Sequence, residues 1–457
     1  MEPRERGRAT FVAGILLAGY IFASCCAIAH AGELRAGAGR AIITPEHDMW
    51  LSGYASRTAP SEGKVHDLFA KALVFEDETG AKTVIVTTDL IGLTAAITSG
   101  TARMVEERFG VARERQLYTA SHTHCGPVLK NNLEAMYGLD ENQARIVADY
   151  TSALPGKILA AVAEAMNNVE PVSVSWSVGH AEFAANRRRY TPDGVQFGVN
   201  PIGPVDRDVP VLAIRRPGGP IKALLMGYAC HNTTLDFQQI CGDYAGFAQA
   251  HVEAALPGTV ALFMSGCGAD ANPEPRRTLE WAQQHGKELG EAVLKAAQAT
   301  ASAVHGPIRA VYREIPLELS APPTRDELER QAAGDDVYIA RRARTLLEQW
   351  DAAGGLATTH PYAIQVLQFA DSLQLTALAG EVVVDYSLRL KHELGKQNHY
   401  VIGYANDVPA YIPSLRILRE GGYEAETSMI YYGLYGPWAP SIEEKIVSAV
   451  IEMSKEQ

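Results

Sequence analysis

The chain has 457 residues, 47% of them apolar and 21% charged, a globular composition with ample material for a substantial core. A formal charge of −12 and a pI near 5.6 set aside nucleic acid and an anionic membrane as main partners. No basic stripe with interleaved aromatics offsets that balance.

At the N-terminus, Arg4, Arg6 and Arg8 precede an apolar stretch from Phe11 to about Ala29, and Ala29-His30-Ala31 offers a small-residue exit. The pattern predicts a secretory signal over 1–31, cleaved after Ala31, and export to the periplasm or the extracellular space. An uncleaved N-terminal membrane anchor is the alternative, because the stretch is long for a signal. With Cys25 and Cys26 inside that expected signal, the remaining Cys125, Cys230, Cys241 and Cys267 are too few for a disulfide scaffold and read as small buried residues in preference to thiolate ligands. A Cys230–Cys241 bridge would close a plausible loop, but spacing does not fix it.

Downstream, 32–457 reads as one domain. Arg40 to Pro45 is a strand ending in a turn, and Lys71–Phe75 and Thr83–Thr88 form a hairpin around Glu76–Gly80. Ala96–Phe109 has helical spacing with Gly110 as its stop, and Gln116–Ala120 is the next strand, so a parallel βαβ unit is expected. Glu141–Asn167 is a long amphipathic helix, with a bend expected at Pro155. Strands follow at Val172–Gly179, Phe183–Tyr190 and Val209–Arg215. Arg187-Arg188-Arg189 reads either as a solvated face or as a source of one ligand-directed guanidinium.

Four further strands each deliver a polar residue at the carboxyl end. Lys222–Cys230 leads to His231, Thr259–Met264 to the loop from Ser265 to Pro273, Leu373–Ala379 to Glu381, and Tyr400–Tyr404 to Asn406 with Tyr411 beyond. Ligands bind outside such ends in open sheets, so the expectation is an α/β fold of mixed β-sheets with flanking helices and an active site at the C-terminal ends of strands. The charged stretch from Thr324 to Trp350 predicts one helical arm over about 324–353, and Ser441–Glu452 a closing helix.

The densest motif is Ser121-His122-Thr123-His124-Cys125-Gly126-Pro127, directly after a strand. In extended backbone the two imidazoles point the same way, so one can hold a metal while the other serves its water. Taken alone, the pair is as compatible with half-exposed histidines at a strand end. His231 and Glu381 supply what the pair lacks: two imidazoles and a carboxylate are the usual set for a catalytic zinc with an open position. Tyr411 would be an unusual further ligand, since a phenol binds only when a cation lowers its pKa.

The motif resembles the Ser-His-Thr-His-Ser-Gly-Pro signature of the neutral/alkaline, non-lysosomal ceramidases. The resemblance runs through Ala229-Cys230-His231, Ala379-Gly380-Glu381 and Val408-Pro409-Ala410-Tyr411-Ile412, and covers roughly Gly37 to Pro437. It implies one zinc ion per chain, held by His122, His231, Glu381 and Tyr411, with His124 and Arg187 facing the substrate amide. The family's Gly-Asp-Val-Ser-Pro-Asn loop reads Gly268-Ala269-Asp270-Ala271-Asn272-Pro273 here, which sets Asn272 against the family's serine and adds Asp270 to the candidate residues. Asparagine cannot accept an acyl group but can donate to an oxyanion. No counterpart is expected for the family's immunoglobulin-like C-terminal domain.

The resulting expectation is an exported zinc-dependent hydrolase of a linear amide, an N-acyl sphingoid or other N-acyl lipid, with peripheral membrane contact through that lipid. The alternatives are a zinc hydrolase of a polar ester, lactone or carbohydrate derivative, and a non-catalytic binding homologue.

Overall fold

Runs such as Ala70–Phe75 and Val84–Val86 lack polar alternation and so need cover on both faces. They lie side by side toward one end of a nine-stranded sheet. The computed structural model describes residues 33–395 and 397–456, so the expected signal over 1–31 lies outside it. In chain order the strands are β1 (Leu34–Ile42), β2 (Phe69–Glu76), β3 (Lys82–Thr88), β4 (Gln116–Ala120), β5 (Glu170–His180), β6 (Ala184–Thr191), β7 (Gly194–Asn200), β8 (Asp208–Arg215) and β9 (Ile221–Tyr228). They continue with β10 (Val260–Ser265), β11 (Ala271–Pro273), β12 (Ser302–Val304), β13 (Ile308–Glu318), β14 (Thr359–Phe369), β15 (Leu373–Leu378), β16 (Glu381–Val382), β17 (His399–Ile402) and β18 (Tyr411–Ile412).

Across the large sheet the order is β10-β9-β8-β5-β1-β2-β3-β4, with β12 also on β5. A second sheet has the order β13-β14-β15-β17, and two small ladders, β11-β6-β7 and β16-β18, complete the set. The expected mixed-sheet α/β fold with flanking helices is the one observed. The hairpin β2–β3 is antiparallel, and β3 and β4 pair in parallel across α1 (Ala95–Phe109), as the βαβ spacing predicts. Thr94 caps α1 through Ile97 N, and Gly110 ends it at φ 67.

α2 (Glu141–Asn167) is one continuous helix with Pro155 inside it. It is long and apolar enough to cross a membrane by composition, but Leu154, Ile158, Ala161 and Ala165 lie on one stripe that belongs to the core built on β1 to β3. The helix comes so close that a Cβ at Gly37 would stand 1.9 Å from the Ala165 carbonyl oxygen. Only glycine allows that approach. α3 (Asp243–Ala255) and α4 (Leu279–Gln298) pack together beside β8 to β10.

The charged stretch expected as one helical arm is two helices, α5 (Arg325–Ala332) and α6 (Val337–Ala353). Asp336 accepts from Tyr338 N and Ile339 N, so a fresh N-cap divides the run. Leu328, Ala343 and Leu346 from this pair enter the core over the second sheet, together with α7 (Val384–Glu393), α8 (Leu415–Glu420) and α9 (Ile442–Lys455).

Candidate metal centre

Strand ends and one short ladder assemble the site. His122 lies two residues beyond β4, His231 three beyond β9, and Glu381 three beyond β15. Tyr411 opens β18, whose parallel pairing with β16 makes Glu381 and Tyr411 register partners. His122 takes a left-handed conformation, φ 62, with its amide donating to Leu90 O at 2.9 Å. Backbone of this kind costs about 1–3 kcal/mol outside glycine and concentrates at functional sites.

The protonation of the ring follows from its outer contacts. His122 Nδ1 is 2.6 Å from Ile91 O, and His231 Nδ1 is 3.1 Å from Gly268 O. A ring nitrogen facing a carbonyl oxygen carries the proton, so each imidazole presents a bare Nε2 to the centre. Both Nε2 atoms lie 3.1 Å from the same Glu381 Oε2, which receives no hydrogen bond, and His231 Nε2 is 3.1 Å from the Tyr411 hydroxyl. Tyr432 donates to the other oxygen, Glu381 Oε1.

Burial opposes ionisation of Glu381, but His122 and His231 hold its carboxyl well below the usual range. Burial and the Arg187 charge push His231 down to about 3, so its imidazole stays neutral. The lone pairs of the two Nε2 atoms and of Glu381 Oε2 therefore face one another with no proton donor among those three atoms. Such a set is costly without a cation at its centre. The 3.1 Å separations also agree with the edge of about 3.3 Å expected when ligands sit about 2.0–2.1 Å from one tetrahedral zinc. The residues fit a metal ion.

Two donor sets compete. The ligand atoms of His122, His124 and His231 lie within 4.8 Å of one another, which would allow a three-imidazole site. We favour Glu381 over His124, because Glu381 Oε2 touches both of the other imidazoles. The His124 ring centroid is 5.8 Å from His231, whereas His122 and His231 are 4.7 Å apart. His124 Nε2 is 3.1 Å from His122 Nε2, and its buried Nδ1 has no hydrogen-bond partner. Nε2 is therefore the ring nitrogen that faces the site. Burial and the two neighbouring imidazoles push its pKa well below 6.5. Tyr411 is pushed the other way, well above 10, by burial and the Glu381 charge; Arg187 works against that, and a metal would work further.

Arg187 and Asn272 close the substrate side. Arg187 donates from Nη2 to the Tyr411 hydroxyl at 3.1 Å and from Nη1 to Asn272 Oδ1 at 3.3 Å, while Nε holds Glu424 Oε1 at 2.8 Å. Arg188 Nη1 holds the other Glu424 oxygen at 2.5 Å. The solvated-face reading of the arginine run thus applies to Arg189 alone, since Arg187 and Arg188 are buried. Thr233 Oγ1 also approaches Asn272 Oδ1, so the Asn272 amide nitrogen is left for the cavity.

Asp270 stands apart from this group. Its Oδ1 accepts from Val384 N at 2.9 Å and its Oδ2 from Asn186 Nδ2 at 3.2 Å, which ties the loop to α7 and β6. Asn406 is likewise structural, donating to Gln365 Oε1 and accepting from Arg113. Among the described residues the four cysteines are free and buried, and burial pushes the Cys230 thiol well above 9.

Over the ring opens a cavity of about 310 Å³, walled by Tyr54, Met136, Phe197, Tyr423 and Tyr431 among others. Gly53 lies against the His124 ring; a Cβ there would stand 2.2 Å from Nδ1. Gly53, Tyr54, Glu424 and Tyr432 carry no motif, and sequence reasoning did not find them. Ser52-Gly53-Tyr54, Tyr423-Glu424 and Tyr431-Tyr432 give no signal short of the fold.

The family model for neutral/alkaline non-lysosomal ceramidases, N-terminal region, matches residues 34–274, which include every candidate residue except Glu381 and Tyr411. Neutral ceramidases A and B of Dictyostelium discoideum are each 25% identical, over 256 and 261 residues. These matches cover 51% and 52% of this chain and 35% of each relative, so the chain spans about a third of the length of the curated relatives it matches. The crystal structure of neutral ceramidase from Pseudomonas aeruginosa is similar with a TM-score of 0.70 at 19% identity, over 93% of this chain and 75% of that one. A structure described as ceramidase complexed with C2 gives 0.69 at 19% identity, over 92% and 75%.

Proposed function

The chain belongs to the neutral/alkaline non-lysosomal ceramidase family, and on that premise we propose that it is a zinc-dependent hydrolase of linear amides, with an N-acyl lipid of the ceramide type as the substrate class. The observation that carries the proposal is the ring of buried acceptors made by His122, His231, Glu381 and Tyr411. Zinc held by these four residues would supply a Lewis acid for the amide carbonyl and lower the pKa of water to about 7.

The chain's own residues do the rest. Arg187 and the Asn272 amide nitrogen lie on the cavity side of the ring and donate toward the carbonyl oxygen as charge develops there. Glu424, gripped by both arginines, fixes the Arg187 fork in place. His124, kept neutral by burial and its imidazole neighbours, takes the proton given up by the attacking water and delivers it to the leaving amine nitrogen, so that amide and water become carboxylic acid and amine. Tyr54 and Tyr423 wall the cavity and limit water around the reacting atoms. This route needs no serine nucleophile, which is why Asn272 is compatible with it. Asp270 acts by positioning Asn272 and Arg187, through Asn186 and its own carbonyl.

The test is metal analysis of the purified chain together with release of fatty acid from N-acyl sphingosine and other N-acyl amines. One zinc per chain and turnover abolished in His122→Ala are expected. Metal-free protein with full activity, or His122→Ala with unchanged turnover, would refute the proposal. Export belongs to the same reading on the N-terminal pattern alone, and N-terminal sequencing of the secreted protein should begin at Gly32.

A further inference from the structure

The cavity lining carries Arg187, Arg276 and Arg277 and no carboxylate, in a chain with 53 acidic and 41 basic residues. Arg187 is matched by Glu424, but the other two have no part in the chemistry above. They lie three and four residues beyond β11, the short strand that carries Asn272. Arg277 is held at φ 87, a left-handed conformation that favours glycine, and its amide donates to Thr234 O at 2.6 Å. The loop is therefore fixed in a conformation that a relaxed arginine would avoid.

Neutralisation behind the pair is thin. Arg277 contacts Asp236 through Nη1, and Arg276 meets Glu274 only through Nε, at 3.4 Å. Among the described residues no hydrogen bond occupies Nη1 or Nη2 of Arg276, although the side chain is half-buried. Burial, and after it the adjacent Arg277 charge, pushes the Arg276 pKa below the usual guanidinium value. Two adjacent guanidinium forks at a cavity wall match the planar, multidentate geometry of an oxyacid group. The same lining includes Tyr54, Met136, Phe197 and Tyr431, which suit an apolar chain.

We propose that the preferred substrate is an N-acyl amide that also carries an anionic oxyacid group, a carboxylate, sulfonate or phosphate, held by Arg276 and Arg277. The inference rests on the amide-hydrolase reading and narrows its substrate class from neutral N-acyl lipids to acidic ones.

The zinc-loaded full chain is assayed for kcat/KM on N-lauroylglycine, N-lauroyltaurine, N-lauroyl phosphoethanolamine and the neutral N-lauroylethanolamine. At least one acidic substrate should be preferred about tenfold or more, and rising salt should shrink that preference. The acid-to-neutral ratio should fall toward one in Arg276→Gln and in Arg276→Gln/Arg277→Gln, at unchanged zinc content. The single variant leaves the Arg277–Asp236 contact in place if the double one folds poorly. Equal or better use of the neutral amide by the parent chain, or a ratio that survives both variants, overturns the inference while the amidase reading stands. If no amide is cleaved, the amidase reading falls. Calorimetric binding of N-lauroyltaurine, lost in Arg276→Gln or not, then decides the inference by itself.

Discussion

Gly53→Ala separates the two roles assigned to the paired histidines. Gly53 sits at φ 87 with its Cα against the His124 imidazole, where a Cβ would lie 2.2 Å from Nδ1, 2.5 Å from Cγ and 2.7 Å from Cε1. Reaching ordinary contact, from about 3.4 Å outward, moves the ring by more than an ångström. Nothing opposes the shift at Nδ1, which has no hydrogen-bond partner. Misplacing a catalytic group by about 1 Å costs on the order of 100-fold in rate. Alanine in the left-handed region adds roughly 1–2 kcal/mol of strain, worth a few degrees of Tm in a domain of this size. We therefore expect kcat on an N-acyl amide to fall about 100-fold, with zinc still at one per chain and the fold intact. Amide turnover, metal content and thermal unfolding are measured on the same preparation. Loss of zinc together with activity would make His124 a ligand and favour the three-imidazole set. Unchanged kcat would remove His124 from the proton path.

Other perturbations probe the surroundings of the ring. Glu381→Gln keeps an acceptor for Tyr432 but removes the ring's carboxylate charge, so zinc affinity should fall by tenfold or more, read by competition with a chromophoric chelator. Chelation of the parent chain should abolish turnover and lower Tm, and one equivalent of zinc should restore both. Glu424→Gln leaves two buried guanidinium groups without their shared counter-charge, and denaturant unfolding should show a loss of about 3 kcal/mol alongside reduced kcat/KM. Asp270 is pushed up from 3.8 to about 7, chiefly by burial. Its native pKa is raised, so the associated stability is complete below about pH 3.8 and is lost as pH rises through 7, on the order of 4 kcal/mol. Urea midpoints of Asp270→Asn should be flatter than those of the parent chain across that window.

Much of the centre was legible because the chemistry lies at the ends of apolar runs. β4, β9 and β15 are continuous buried strands, and each is followed within three residues by His122, His231 or Glu381. Tyr411 was placed only as lying beyond Tyr400–Tyr404, since its own two-residue strand is one that propensity cannot detect. β13 and β14 escaped notice because Pro316 and Pro361 interrupt their patterns. The two prolines stand opposite each other, where β14 has run past β15 and its outer edge is open. The arm over about 324–353 was misjudged as one helix because a charged run has no apolar phase to reveal the restart at Asp336. Glu424 had no local signal, since its two partners lie in β6, far away in sequence.

The acceptor ring also bears on how the chain must fold. His122 and His231 hang from the large sheet, whereas Glu381 and Tyr411 come from the short ladder beside the second sheet. A bound ion would be a reversible cross-link between distant stretches of chain, closing long loops that the polypeptide alone must hold shut. Neither set of strands contains a complete site, so metal occupancy would report the docking of one sheet system on the other. A substitution at that seam, remote from substrate, would then show itself first as a slower or weaker uptake of the ion.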